Sequence, residues 1–197
     1  MFEVRIHGRG GQGAVTAAEL LSVAAFEEGR WAQAFPSFGS ERMGAPVTAF
    51  CRVDQAPIRR REPIAEPDAV VVQDPTLLHH VNVFGGLSPD GCVLINSSRG
   101  LSELGLDQAP GARRMLTVPA SAIARRRLGK PIPNVALLGG LVALTEVVTL
   151  EALGRAILAR FPDESAHANL RAAEDAFRHA AGQQPAVAAI GFGDDNG

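Results

Sequence analysis

The sequence predicts an α/β fold: a mostly parallel sheet with helices on both faces, Rossmann-like, with an inserted antiparallel hairpin. Three observations predict it. Strand-like and helix-like segments alternate along the chain, the pattern of a sheet flanked by helices. Two continuous apolar runs, "DAVVVQD" (68–74) and "GCVLINSS" (91–98), end in polar residues, as central parallel strands do. A G-x-G-x-x-G spacing at Gly8, Gly10 and Gly13 joins the first strand to the first helix.

The first strand is "FEVRIHG", and the helix after it runs from Thr16 to about Glu28, where Gly29 supplies a left-handed cap. "RWAQAF" is a second, short strand. "PSFGSERMGAP" holds two prolines, two glycines and two serines and must be a long loop. "VTAFCRV" (47–53) alternates inward and outward residues, "DQAP" turns, and "IRRRE" runs back as the expected partner of an antiparallel hairpin. After the two apolar strands, "RRMLTVPA" is a further strand and Ser121 is the expected cap of "AIARRRLG". "NVALLGGLVALTEV" (134–147) is apolar almost all round, a helix buried against its own sheet or against a partner. Its Gly139-Gly140 pair would let another backbone approach closely. Thr149 caps "LEALGRAILARF", Pro162 stops it, and "ESAHANLRAAEDAFRHAA" is a last amphipathic helix. Residues 1–181 form the folded domain, and 182–197 are expected to be a flexible tail.

Composition narrows the function. The chain has 197 residues, 46% of them hydrophobic and 20% charged, which is ordinary for a globular protein with a sizeable core. A net charge of −2 and the lack of tyrosine argue against nucleic acid, so Arg59–Arg61 and Arg125–Arg127 read as solvated faces or subunit contacts. No run approaches the roughly 18 apolar residues of a membrane span, and no secretory leader opens the chain, so a cytoplasmic protein is expected. Cys51 and Cys92 lie in apolar strands and read as buried free thiols. Without a C-x-x-C, neither an iron–sulfur cluster nor a structural zinc is supported. Lys130 is the only lysine, which coding bias explains as well as function does. His79-His80 have no further ligands at suitable spacing, and Asp74 reads as a helix cap.

A strand–glycine loop–helix unit admits a ligand close to the backbone and aims free N–H groups at an anion. A dinucleotide site also needs an acidic residue some 20 positions on, ending the second strand. Here that strand ends at Ala34-Phe35-Pro36, and the nearest carboxylates, Glu27 and Glu28, close the preceding helix. Two readings remain: glycines that only allow tight packing, and anion recognition without a whole dinucleotide. Arg9 and Gln12 favour the second, because packing alone calls for neither. The loop "FPSFGSERMGAP" should face the glycine loop across the carboxyl ends of the strands, with Asn96, Ser97 and Ser98 on the same crevice. Its Arg42 suits a phosphate or carboxylate, or else pairs with Glu41.

"RIHGRGGQGAVTAAELL", "AFPSFGSERMGAPVTAFCRV", "EPDAVVVQDPTLL" and "LGKPIPNVALLGGLVAL" together resemble the gamma subunit of the 2-oxoacid:acceptor oxidoreductases, the pyruvate:ferredoxin type, over about residues 3 to 180. The resemblance implies one part of a larger enzyme that oxidatively decarboxylates a 2-oxoacid to an acyl-coenzyme A. Thiamine diphosphate, Mg and [4Fe-4S] clusters then belong to alpha, beta and delta partner subunits, and electrons leave to ferredoxin or another acceptor. Coenzyme A as co-substrate would sit near Arg9, Gly10, Gly11, Gln12 and Gly13, with Ser40, Glu41 and Arg42 on the facing loop. Glu41 departs from the double-basic pattern of single-chain relatives. No residue makes a convincing nucleophile or general base, so no catalytic residue is expected in this chain. The alternative is a stand-alone NAD(H)-binding module or dehydrogenase, which the missing acid on the second strand disfavours.

Overall fold

Strand β1 (Phe2–Arg9) lies inside a six-stranded sheet of order β2-β3-β1-β4-β5-β6 in the computed structural model, which describes residues 1–37, 44–107 and 114–183. The other strands are β2 (Trp31–Ser37), β3 (Pro46–Asp54), β4 (Ala69–Val72), β5 (Cys92–Asn96) and β6 (Arg114–Val118). β1, β4, β5 and β6 run parallel, while β3 runs antiparallel between β1 and β2. The helices are α1 (Ala14–Glu27), α2 (Ala120–Leu128), α3 (Asn134–Thr145), α4 (Leu150–Arg160) and α5 (Asp163–Ala181).

The hairpin exists, but with a different partner from the one expected. β3 pairs with β2, Ser37 opposite Thr48, rather than with "IRRRE", and residues 55–68 contain no strand. Both edges of β3 are already occupied, by β2 and β1, so a returning strand has nowhere to bond. Pro57 and Pro63 would also lack ladder N–H groups, and Arg59–Arg61 lie exposed.

All five α-helices contribute to one core with Val4, Ile6, Val71 and Leu94 of the sheet. α3 is buried within the chain itself: ten of its twelve residues are buried. A Cβ on Gly139 would strike the carbonyl of Ala173 on α5, and one on Gly140 would lie 3.1 Å from Leu94 on the sheet. The backbone that the glycine pair admits is therefore the chain's own α5. Thr149 caps α4 as expected, its hydroxyl accepting from the Ala152 N–H at 3.1 Å. Ser121 does not cap α2. Asn96 does so from the neighbouring strand, with Oδ1 accepting from the Ser121 N–H at 3.0 Å, because Pro119 occupies the N-cap and places Ser121 inside the first turn.

The opposite sheet face is closed differently. Val70, Val72, Val93 and Ile95 lie under two short 3-10 helices, Pro75–His79 and Ser102–Leu104, with extended segments between them. Those connections contain Pro75, Gly85, Gly86 and Pro89, which break longer helices. The buried guanidinium of Arg5 fastens this cover by donating to the carbonyls of Ile64, Ala65, Val83 and Gly85. Its Nε donates to Nε2 of buried His7 at 3.1 Å.

Candidate functional site

The glycine loop leaves β1 at its carboxyl end and turns into α1 without a side-chain cap. Gly11 (φ 91°) and Gly13 (φ 74°) are both left-handed, a conformation that costs an L side chain about 1–2 kcal/mol. A Cβ on Gly8 would come 2.5 Å from Oε1 of Gln73, whose buried carboxamide has no partner among the described residues. A Cβ on Gly13 would collide with the carboxamide of Asn134 at the start of α3. Close packing thus explains Gly8 and Gly13. It does not explain Gly11, where added atoms would meet open space. The first-turn N–H groups of α1 meanwhile point out of the helix end, where the positive end of its dipole lies.

Arg9 and Gln12 are brought together, and on Asp74. The Arg9 guanidinium donates to Asp74 Oδ2 at 3.0 Å, to the Gly44 carbonyl at 3.1 Å and to the Thr76 hydroxyl at 2.8 Å. The Gln12 side chain accepts from the Arg9 N–H at 2.8 Å and donates to Asp74 at 3.2 Å. Asp74 also accepts from the Thr76 N–H at 3.0 Å, the capping role the sequence predicts. Burial alone would raise the Asp74 carboxyl, but its bonds from Thr76 and Gln12 and the Arg9 charge hold it below the ordinary carboxylate value. Both polar loop residues therefore hold the loop in shape. Of the facing loop, the described end Gly44-Ala45 meets them: the Gly10 N–H donates to the Ala45 carbonyl at 3.0 Å. Ser40, Glu41 and Arg42 lie outside the described residues, as do 184–197 of the expected tail.

On the other side of the loop, Gly11 and Gly13 open onto a depression of about 380 Å³. Its walls are the segment after α2 with Lys130 and Ile132, the start of α3 with Asn134, and the α4–α5 corner with Arg160, Phe161 and Asn169. Sequence reasoning missed this wall. The available signal was the lone lysine in "GKPIPN", set between a helix-ending glycine and two prolines that fix the chain leading into α3. Asn96, Ser97 and Ser98 do not join this depression. They line another of about 400 Å³ beside Arg99 and Arg125, separated from the glycine loop by the end of β4.

The dinucleotide reading loses its geometric basis here. In that fold the second strand lies beside the first and brings its terminal acid to the ribose. Here β3 separates β2 from β1, and β2 ends in Pro36 and Ser37. Burial pushes the thiol of Cys51 up to about 12 and that of Cys92 up to about 11, so both stay protonated. None of the hydroxyls or thiols among the described residues bonds a histidine. The described residues also contain no group of three or more His, Cys, Asp and Glu that could hold a metal ion. Among them, no helix is long and apolar enough to cross a membrane.

Comparison with known proteins fits this geometry. Residues 3–179 match the family model for pyruvate ferredoxin/flavodoxin oxidoreductase. The chain is 48% identical, over 177 residues, to the pyruvate/ketoisovalerate oxidoreductases common subunit gamma of Pyrococcus abyssi, covering 90% of this chain and 96% of that one. Pyruvate oxidoreductase subunit PORC of Thermotoga maritima superposes with a TM-score of 0.79 at 39% identity, covering 90% of this chain and 95% of that one. A 2-oxoglutarate:ferredoxin oxidoreductase of Magnetococcus marinus, solved with coenzyme A bound, shares the fold at a TM-score of 0.71 and 16% identity, over 93% of this chain and 31% of that one. With a family model and relatives at this identity spanning nearly all the folded residues, the chain belongs to the pyruvate ferredoxin/flavodoxin oxidoreductase family, as the gamma subunit of a larger enzyme and without a complete active site of its own.

Proposed function

We propose that this chain helps position coenzyme A in a cytoplasmic, multisubunit 2-oxoacid:acceptor oxidoreductase and completes its assembly. The observation that carries the reading is the glycine loop: left-handed Gly11 and Gly13 present backbone at the N-terminus of α1, beside an open depression. Alpha, beta and delta subunits supply the remainder. Thiamine diphosphate, Mg and the iron–sulfur clusters do not fit the described residues of this chain, whose cysteines are buried on separate strands and whose acidic and histidine groups form no metal cluster. Those groups, held by the partners, carry the decarboxylation and the electron transfer to ferredoxin or another acceptor. This chain's part is to hold the phosphate-bearing end of coenzyme A so that its thiol meets the acyl group. Gly10, Gly11 and Gly13 supply backbone, and Arg9 and Gln12 keep the loop in the shape that exposes it. Ser40 and Arg42, from the facing loop, would add a hydroxyl and a cation.

In the assembled enzyme, Arg42→Ala should raise the Michaelis constant for coenzyme A about tenfold and spare the 2-oxoacid constant, as loss of one charge-assisted contact does. A coenzyme A-dependent viologen-reduction assay over a panel of 2-oxoacids measures both. An unchanged coenzyme A constant removes Arg42 from the site.

A further inference from the structure

We infer that the depression between the α1 N-terminus, the segment 128–134 and the α4–α5 corner is a binding site for a phosphorylated nucleoside, with Lys130 and Arg160 as its phosphate-binding cations. The inference rests on the coenzyme A reading for its expected source, the nucleotide end of that molecule, and a free nucleoside diphosphate offers the same chemistry. Four independent features converge. Lys130 is exposed and forms no ion pair or hydrogen bond among the described residues. Arg160 lies over the Phe161 ring at 5.7 Å and has no carboxylate partner among them. Each cation therefore faces the opening uncompensated, where a phosphate would be its counter-ion.

The third feature is a pair of buried carboxamides. Asn134 and Asn169 are only 7% and 6% exposed, yet both line the depression. Asn134 uses Nδ2 on the Gly13 carbonyl at 3.3 Å, and Asn169 uses Nδ2 on the Ser165 carbonyl at 2.8 Å. Neither Oδ1 has a partner among the described residues, so each oxygen is left free to accept from a ligand. A base edge carries the N–H donors that would satisfy them. The fourth feature is apolar: Ile132, 38% exposed, and Phe161 offer surface to the face of a base or ribose. At about 380 Å³ the space falls within the roughly 300–1,000 Å³ of small-molecule sites. The α1 N-terminus, with Gly11 and Gly13, completes the phosphate side.

Lys130→Ala and Arg160→Ala in the assembled enzyme test this, with Arg59→Ala, an exposed cation elsewhere, as the charge control. Each pocket substitution should raise the coenzyme A Michaelis constant about tenfold and leave kcat and the 2-oxoacid constant in place. ADP should compete with coenzyme A in the unsubstituted enzyme and lose potency by the same factor in the variants. With pantetheine, which lacks the nucleotide, as acyl acceptor, variant and unsubstituted enzyme should behave alike; a merely structural lesion would slow both acceptors. Weakened ADP inhibition with an unchanged coenzyme A constant also supports the site and names a free nucleotide as its occupant. Unchanged constants for both coenzyme A and ADP in both variants overturn it. If Arg42→Ala raises the coenzyme A constant while the pocket variants are silent, the coenzyme A reading stands without this pocket; if all three are silent, both fall.

Discussion

The two faces of β1 are closed by opposite means. Val4, Ile6 and Gly8 lie on the face under the helices, where sealing is apolar and ends in a depression whose cations have no carboxylate partner, and whose carboxamide oxygens have no hydrogen-bond partner, among the described residues. Arg5, His7 and Arg9 alternate onto the other face, where no α-helix of the described residues lies. There each polar side chain is engaged: Arg5 on four carbonyls and His7, Arg9 on Asp74. The contrast teaches where a ligand can bind. A charged side chain in a glycine loop suggests ligand contact, but Arg9 belongs to the row that substitutes for missing helices. The side of the loop with groups to offer is lined by Lys130, Asn134, Arg160 and Asn169, far downstream in sequence.

The largest effect should come from removing the clasp of the helix-free face. Arg5→Ala leaves the Ile64 and Val83 carbonyls buried without their donor and opens a void beneath the cover. The cost should be about 4 kcal/mol, from a few unmet acceptors at about 1–3 kcal/mol each, partly relieved by water. Arg5→Lys should recover only part of this, since one ammonium cannot span carbonyls that the planar guanidinium reaches together. Urea unfolding measures both. A cost under about 1 kcal/mol for Arg5→Ala would mean that apolar packing, not the polar clasp, holds the cover.

His7 gives the same face a pH dependence. Burial first, and the Arg5 charge second, lower its pKa from 6.5 to about 4, so it stays neutral and accepts from Arg5. Between those values the unfolded chain binds a proton that the folded chain does not, so stability rises with pH across the window and is lost as pH falls from about 6.5 toward 4. The shift corresponds to about 3 kcal/mol. His7→Gln keeps an acceptor for Arg5 without titrating. Its urea-unfolding free energy should be much flatter between pH 6.5 and 4.5 than that of the unsubstituted chain. Equal slopes would show His7 to be protonated in the fold.

What the sequence revealed follows the reach of each interaction. The central strands and the helices are legible because apolar period and caps are local: Thr149 three residues before Ala152, or Gly29 just past α1. The hairpin partner was not legible. "IRRRE" lies close in sequence to β3, whereas the true pairing is set by which edge of β3 is free once β1 has bonded to it. Asn96 capping α2 is a contact 25 residues long, invisible to a pattern that searches the helix's own first turn for Ser121. The glycine loop was legible as a feature, but the partners of Arg9 and Gln12 meet only when the end of β4 arrives beside β1. Lys130 and Asn169 share a wall only because α5 packs against α3.

The smallest expected effect decides whether Arg9 serves the fold or the ligand. Asp74→Ala removes the acceptor shared by Arg9, Gln12 and the Thr76 N–H. Because Asp74 is only half-buried and water can replace some of these bonds, the stability cost should be about 2 kcal/mol. Asp74→Asn retains an oxygen for Thr76 and should cost less. The Michaelis constant for coenzyme A separates the two roles. If Arg9 is a brace, releasing it lets the glycine loop relax, the backbone at Gly11 loses its fixed aim, and the constant rises by a few fold, reversed in part by Asp74→Asn. If Arg9 is a ligand-facing cation restrained by Asp74, its release adds a free guanidinium to the site and the constant falls. The bonds of Arg9 to Gly44 and Thr76, which survive loss of the carboxylate, favour the rise.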